Sequence, residues 1–273
     1  MQEAIPEGME AALTFDDPLI GAYRIHCQTY KRGYSVRQIV GEMLGKGNGA
    51  TGGKGGSMHY YKKSTNFYGG NGIVGAQVPV GVGLAFALKY QKKPNVASIM
   101  FGDGAANQGQ LFEAANMAKL WNLPALFICE NNKYGMGTSV ERSSMNTAFY
   151  TRGDAIPGFR VEGNNVFEVR EAFKWAKAWS IEHGPLFIEL ICYRYHGHSM
   201  SDPGISYRKR EEVQDYRKNK DPILTLKNIA KEFNLASETE LDVISFLCRI
   251  SRTRPMSQSR KKLPKQKQTP KFR

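Results

Sequence analysis

Cysteine is scarce in this 273-residue chain. Cys27, Cys129, Cys192 and Cys248 stand far apart and form no Cys-x-x-Cys pair, so neither a disulfide framework nor a zinc cluster is expected, and a reducing compartment is favoured. No stretch approaches the roughly 18 uninterrupted apolar residues of a membrane span, so no membrane role is expected. A Gly-x-Ser-x-Gly elbow is also missing, which speaks against a serine hydrolase. The opening Met-Gln-Glu-Ala-Ile-Pro-Glu-Gly is acidic. It has neither the Arg/Ser-rich pattern of a mitochondrial presequence nor the apolar run of a secretion signal, so the chain as written carries no visible address. Hydrophobic residues are not lacking. At 41% hydrophobic and 11% aromatic the chain is no disordered polymer. Its length allows one large core or two small ones.

Acidic residues are absent from Arg249 onward, where ten basic residues fall. Of the formal net charge of +13, this leaves +3 on residues 1–248. The expected organisation is therefore a folded domain over 1–248 and a basic tail over 249–273, disordered from about Pro255, where too little apolar surface exists to offset ordering. The tail has no interleaving of basic and aromatic residues and no nucleic-acid module, so a nucleic-acid partner is not expected.

Strand-like and helix-like runs alternate through the middle of the sequence. Val96–Phe101 is a short apolar run closed by Gly102-Asp103-Gly104. Gln110–Trp121 has apolar residues near helical spacing, and Ala125–Cys129 is a second buried-strand pattern after Pro124. Val78–Tyr90 is a helix rich in small residues, and the amphipathic Val166–Ile181 precedes the apolar run Leu186–Cys192. Repeated units of this kind predict an α/β fold with a doubly wound, mostly parallel sheet and helices on both faces. Two segments break the pattern: a flexible glycine-rich loop, Gly45–Gly56, and the polar stretch Arg194–Arg210.

The glycine-rich loop fails the P-loop test, because Gly55 follows Lys54 where Ser or Thr is needed. Gly81-Val-Gly83 lacks the third glycine of the dinucleotide fingerprint. Asp103 and Asn132 are more telling. Each falls just past a predicted strand of one strand–helix–strand unit, which places both at the carboxyl edge of a parallel sheet, where open α/β folds bind ligands. A carboxylate and an amide oxygen suit a hard cation such as Mg²⁺ shared with phosphate oxygens. The glycines around Asp103 let backbone approach a diphosphate, with a helix N-terminus behind it. Arg194 and His198 follow the run ending at Cys192 and reach the same edge, where each can donate to phosphate oxygens. His196 and His198 without further ligands make an incomplete transition-metal site. Tyr23, Arg24 and His26 suit another anion contact, or a plain surface turn.

Taken with their surroundings, these residues resemble a known family. Gly102-Asp103-Gly104 to Asn131-Asn132 resembles the thiamine diphosphate motif. Asn66–Pro79, Gly102–Gln110 and Tyr193–Gly204 look like the alpha subunits of the pyruvate dehydrogenase first component, mitochondrial type. The resemblance covers roughly residues 1–242 and implies a thiamine-diphosphate-binding fold. It implies Mg²⁺ held by Asp103, Asn132 and the backbone carbonyl of Tyr134. Gly104, Ala105, Arg194 and His198 would hold the diphosphate, Tyr23 and Arg24 would contact cofactor and substrate, and Gly72 and Val74 would meet the aminopyrimidine through their backbones. His198, Tyr23 and Arg24 are the residues it implies in catalysis.

The implied reaction is oxidative decarboxylation of pyruvate with acetyl transfer to a lipoyl arm, feeding acetyl-CoA formation. A beta subunit would supply the activating glutamate within an assembly of two alpha and two beta chains. Further implied partners are the lipoyl domain of the acetyltransferase component and a regulatory kinase and phosphatase acting at Ser139, Ser199 and Ser206. The implied location is the mitochondrial matrix. The family has residues ahead of Gln2-Glu3, including a histidine at the substrate, so the expectation is a chain short at both ends. The alternative is an inactive truncated isoform that binds the beta subunit or the kinase.

Overall fold

In the computed structural model, which describes residues 2–253, the apolar runs become neighbouring strands. The chain opens with α1 (Ala4–Ala12), β1 (Leu19–Ala22), α2 (His26–Lys31) and α3 (Val36–Met43), followed by β2 (Phe67–Asn71) and α4 (Gln77–Tyr90). The strand–helix–strand unit expected from the sequence is β3 (Ala97–Gly102), α5 (Gly109–Leu120) and β4 (Ala125–Asn131). A small hairpin, β5 (Tyr134–Gly135) and β6 (Thr138–Ser139), leads through α6 (Val140–Ser143) to β7 (Gly158–Glu162), α7 (Val166–His183) and β8 (Leu186–Ile191). Three helices follow: α8 (Arg210–Lys220), α9 (Pro222–Glu232) and α10 (Glu238–Thr253).

Six strands form one sheet in the order β2-β1-β3-β4-β8-β7, and every neighbouring pair is parallel. The central strands read as continuous apolar runs because both faces are covered. Along them the side chains alternate. Ile99, Phe101, Phe127 and Cys129 pack in one core cluster with residues of α4 and α5. Met100, Leu126, Ile128 and Leu190 pack in the other with Ile5 and Met9 of α1 and Val169 and Phe173 of α7. The sheet is thus layered by helices on both faces, as the alternation predicted.

Local chemistry fixes the ends of these elements. Asn165 caps α7 by accepting from the N–H groups of Phe167 (3.1 Å) and Glu168 (3.4 Å). Ser35 and Gln38 form a reciprocal capping box at the start of α3. Asp17, fully buried ahead of β1, clasps three elements. Its carboxylate accepts from the Thr14 N–H (2.8 Å), the Thr14 hydroxyl (2.9 Å), the Asn95 amide (3.1 Å), the Val96 N–H (3.1 Å) and Lys177 of α7 (2.6 Å). Arg32, equally buried, pairs with Glu10 at 2.7 Å and donates to the carbonyls of Asp17 and Thr65.

The chain divides into two compact units, residues 1–225 and residues from 226 onward. In the second, Ser237 and Glu240 cap α10, and Lys231 pairs with Glu238 at 2.5 Å. The domain boundary expected at 248 falls inside α10. The tail beyond Thr253 lies outside the described residues. Among the described residues no helix is long and apolar enough to cross a membrane.

Candidate active site

From β1 the chain crosses to β2 on one side and later returns to β3 on the other, so the sheet reverses its winding between β1 and β3. Ligands of open α/β sheets bind at such switch points. A cavity of about 270 Å³ opens there, lined by residues leaving β1 (Tyr23, Arg24), β3 (Gly102–Ala105) and β4 (Glu130, Asn132), with Val74, Tyr134 and His198 completing the wall.

Asp103 and Asn132 are 2% and 5% exposed, and each has a side-chain oxygen, Oδ2 and Oδ1, that is buried with no hydrogen-bond partner. Two such orphans at adjacent strand ends are unexpected in a satisfied core, since each costs about 1–3 kcal/mol. The Asn132 N–H bonds the Glu130 carbonyl at 3.0 Å. Burial pushes the Asp103 carboxyl above its ordinary range, while its own and the Asn132 N–H groups and the charges of Arg194 and Arg24 pull it back. The pair fits a hard cation: two oxygens of the right kind, buried, with spare acceptor capacity. Among the described residues no group of three or more His, Cys, Asp or Glu forms, so a cation here needs oxygens from its ligand as well.

Gly104 and Gly135 explain how the hairpin reaches the pair. A Cβ on Gly135 would stand 3.2 Å from the Gly104 Cα, so the bare pair lets β5 lie close over the turn after β3. The helix expected directly behind Asp103 is displaced: a 3₁₀ turn, Ala105–Asn107, intervenes before α5 starts at Gly109.

Tyr23, Arg24 and His198 come together opposite the pair. The Tyr23 and His198 rings meet edge to face at 5.4 Å, and the Arg24 guanidinium lies over the Tyr23 ring. Arg194 is 1% exposed and does not line the cavity. Its guanidinium donates to the Met136 carbonyl, the Tyr207 hydroxyl (2.9 Å) and His198 Nδ1 (3.2 Å), and its Nε has no partner. An arginine can only donate, so His198 Nδ1 accepts and the proton sits on Nε2. Burial and the charges of Arg194 and Arg24 lower the His198 pKa, which keeps it neutral near pH 7.

The segment after β8 is strapped by Arg208, 6% exposed, which donates to the carbonyls of Arg194, Tyr195, His196 and Gly204. Asp202 accepts from the N–H groups of His198 (2.6 Å) and Gly204 (2.7 Å) and from the Tyr207 hydroxyl (2.8 Å), so its pKa falls to about 2. Ser199 and Ser206 are exposed on this strap, and Ser139 is half-buried in β6. The Tyr134 hydroxyl bonds Glu212 at 2.9 Å.

Gly72 stands outside the cavity lining, against Met58 and His59, while the Val74 carbonyl accepts from Gln108 at 2.6 Å. Sequence reasoning missed Glu130 and Met136. Glu130 gave no signal, because within an apolar run it reads as a strand end. Its carboxyl faces the cavity, and burial pushes its pKa to about 7, opposed by Arg24.

A parallel α/β scaffold with a buried carboxylate–amide pair, an Arg–His pair and glycine turns at its switch point has the chemistry to accept an anionic ligand. The chain matches the family model for the dehydrogenase E1 component over residues 1–249 and belongs to that family. It is 58% identical over 244 residues to the bovine pyruvate dehydrogenase E1 component subunit alpha, somatic form, mitochondrial, covering 89% of this chain and 62% of that protein. The potato mitochondrial subunit alpha is 53% identical over 240 residues, covering 88% and 61%, and the fission yeast one 56% over 241 residues, covering 88% and 58%. The chain therefore spans about three fifths of the length of these relatives.

Proposed function

We propose that this chain is the alpha-type half of a mitochondrial pyruvate dehydrogenase, binding thiamine diphosphate with Mg²⁺ at the switch-point cavity. The observation that carries the reading is the pair of orphaned buried oxygens on Asp103 and Asn132. With the Tyr134 carbonyl they would hold the cation. Gly104 and Ala105 present backbone to that diphosphate, and His198 donates through the Nε2–H that Arg194 leaves free. Arg194 acts from behind, fixing the tautomer and orientation of His198. Tyr23 and Arg24 close the mouth of the cavity, and the backbones of Gly72 and Val74 meet the ring end.

When bound, thiamine diphosphate supplies the carbanion-stabilising chemistry by which a 2-oxo acid loses CO₂. The residues of this chain orient it, exclude water and place the Arg24 cation where the substrate carboxylate enters. With the cofactor bound, the lipoyl domain of the acetyltransferase component would take up the acetyl group, its disulfide serving as the two-electron oxidant.

The activating glutamate comes from a beta subunit, with which the chain forms a heterotetramer. Support for a partner lies on α4 and α5, which leave Tyr90 (81% exposed), Leu120 (74%), Phe86, Phe112 and Trp121 exposed. Ser199, beside His198, Ser206 and Ser139 are phosphorylation sites of the regulatory kinase and phosphatase. A phosphoryl group on Ser199 adds about −1.5 to −2 charge next to the diphosphate and repels it.

Co-expressed with a beta subunit and supplied with Mg²⁺ and thiamine diphosphate, the chain reduces an artificial electron acceptor only when pyruvate is present. No pyruvate-dependent reduction under these conditions would refute the reading.

A further inference from the structure

Between α3 and β2 the chain runs through its glycine-rich segment, and that segment has a centre. Glu42, fully buried near the end of α3, accepts four hydrogen bonds with its carboxylate: from the Thr51 N–H (2.7 Å) and hydroxyl (2.6 Å), the Gly53 N–H (2.9 Å) and the Gly55 N–H (2.6 Å). Burial alone would raise its pKa, but these donors overcome it and hold the group at about 2, so it is an anion at any physiological pH. The loop read as flexible is therefore wound around a fixed negative charge.

Its downstream end is pinned as well. His26 Nε2 lies 2.5 Å from the Ser57 carbonyl and its ring meets Tyr60 edge to face at 5.5 Å, while the Thr51 hydroxyl reaches the His59 carbonyl at 3.4 Å. The two anchors lay Met58 and His59 across the glycines at the end of β2. A Cβ on Gly72 would stand 3.0 Å from the Met58 sulfur and 3.0–3.2 Å from the His59 ring, and one on Gly70 would collide with the Met58 carbonyl. His59 and Met58 play no part in the cavity around Asp103.

We propose that Glu42 is a positioning residue for the ring-binding end of the cofactor site, acting through the loop to hold Met58 and His59 as a wall beside Gly72. The proposal rests on the reading of Gly72 and Val74 as the ring contacts. Glu42 preforms that end of the site, while the Asp103–Asn132 end is formed independently by β3 and β4. The two ends of one ligand therefore respond differently to Glu42.

The experiment uses the alpha chain with its beta partner and Mg²⁺, and compares binding of thiamine diphosphate with binding of inorganic pyrophosphate, which needs only the diphosphate end. Glu42→Gln keeps the shape but turns an N–H₂ toward backbone donors. It is expected to weaken thiamine diphosphate at least tenfold, leave pyrophosphate within twofold, and open the loop to trypsin at Lys46 and Lys54. Equal weakening of both probes, or no weakening of either, overturns the proposal. If Glu42→Gln does not fold, His59→Ala, an exposed position, carries the test: it must weaken thiamine diphosphate several-fold and spare pyrophosphate, and unchanged affinity for both overturns the proposal. A wild-type complex that binds neither probe in a Mg²⁺-dependent way defeats the underlying reading of the site instead.

Discussion

Replacing Asp17 with Asn tests whether a single buried carboxylate holds the first strand to the rest of the sheet. Asp17 is 0% exposed, and its two oxygens receive five donors from Thr14, Asn95, Val96 and Lys177. An asparagine keeps one oxygen and turns a donor toward the rest. Placed at Oδ2, its amide nitrogen faces Thr14 and Lys177; placed at Oδ1, it faces Asn95 and Val96. Either way at least two donors lose their acceptor, at about 1–3 kcal/mol each. Lys177 is 20% exposed and can turn to water, which recovers part of the loss. The expected destabilisation is about 3–4 kcal/mol, within the roughly 3–5 kcal/mol for breaking a buried pair by removing one partner.

Urea unfolding followed by tryptophan fluorescence measures it directly, because Trp175 and Trp179 flank Lys177 on α7. The sign with pH follows from the linkage. Burial raises the Asp17 pKa, but Lys177 and the N–H and hydroxyl donors outweigh it and hold the group below 3.8. Its contribution is therefore present above that value and is lost as the pH falls through the folded-state pKa. The deficit of the variant should be full at pH 7 and shrink in acid below pH 3.8. A loss under about 1 kcal/mol at pH 7, or a deficit that persists unchanged in acid, would refute the reasoning.

Other outcomes follow from the same geometry. Gly69 sits at φ +83° with the Tyr60 carbonyl where a Cβ would go, so Gly69→Ala should cost about 2 kcal/mol or more and lower the melting temperature, whereas an unchanged melting curve would mean the strand end is looser than described. Arg208→Met removes the donor to four carbonyls, and hydrogen exchange of amides 197–205 should accelerate tenfold or more while β3 and β4 amides are unaffected. Asp103→Asn removes a buried charge that lacks a partner on Oδ2. Without metal it should therefore cost less than about 1 kcal/mol in thermal unfolding, unlike Asp17→Asn; a loss as large as that of Asp17→Asn would show that the orphaned oxygen is satisfied in solution.

Much of this was readable in the sequence. Apolar runs bounded by glycine and proline located β3, β4 and β8 because strands buried on both faces are mostly apolar. The strands β1, β2 and β7 carry weak signals: Leu19–Ala22 is short, three of the five residues in Phe67–Asn71 are glycine or asparagine, and Gly158–Glu162 alternates weakly at the sheet edge. Asp103 and Asn132 were legible because strand ends and oxygen ligands are local features. The roles of Asp17, Glu42 and Arg208 were not, since each draws on partners brought near by folding. From sequence Arg194 is expected to face a phosphate, whereas in the fold it lies behind His198, a distinction that only packing decides.

The central claim is that Asp103 and Asn132 hold a cation that in turn holds a diphosphate. Calorimetric titration of thiamine diphosphate into this chain co-expressed with a dehydrogenase E1 beta subunit, with and without Mg²⁺, tests it most directly. The account predicts binding that requires Mg²⁺ and is abolished in both Asp103→Ala and Asn132→Ala. Equal binding without the metal, or wild-type affinity in either variant, would contradict it.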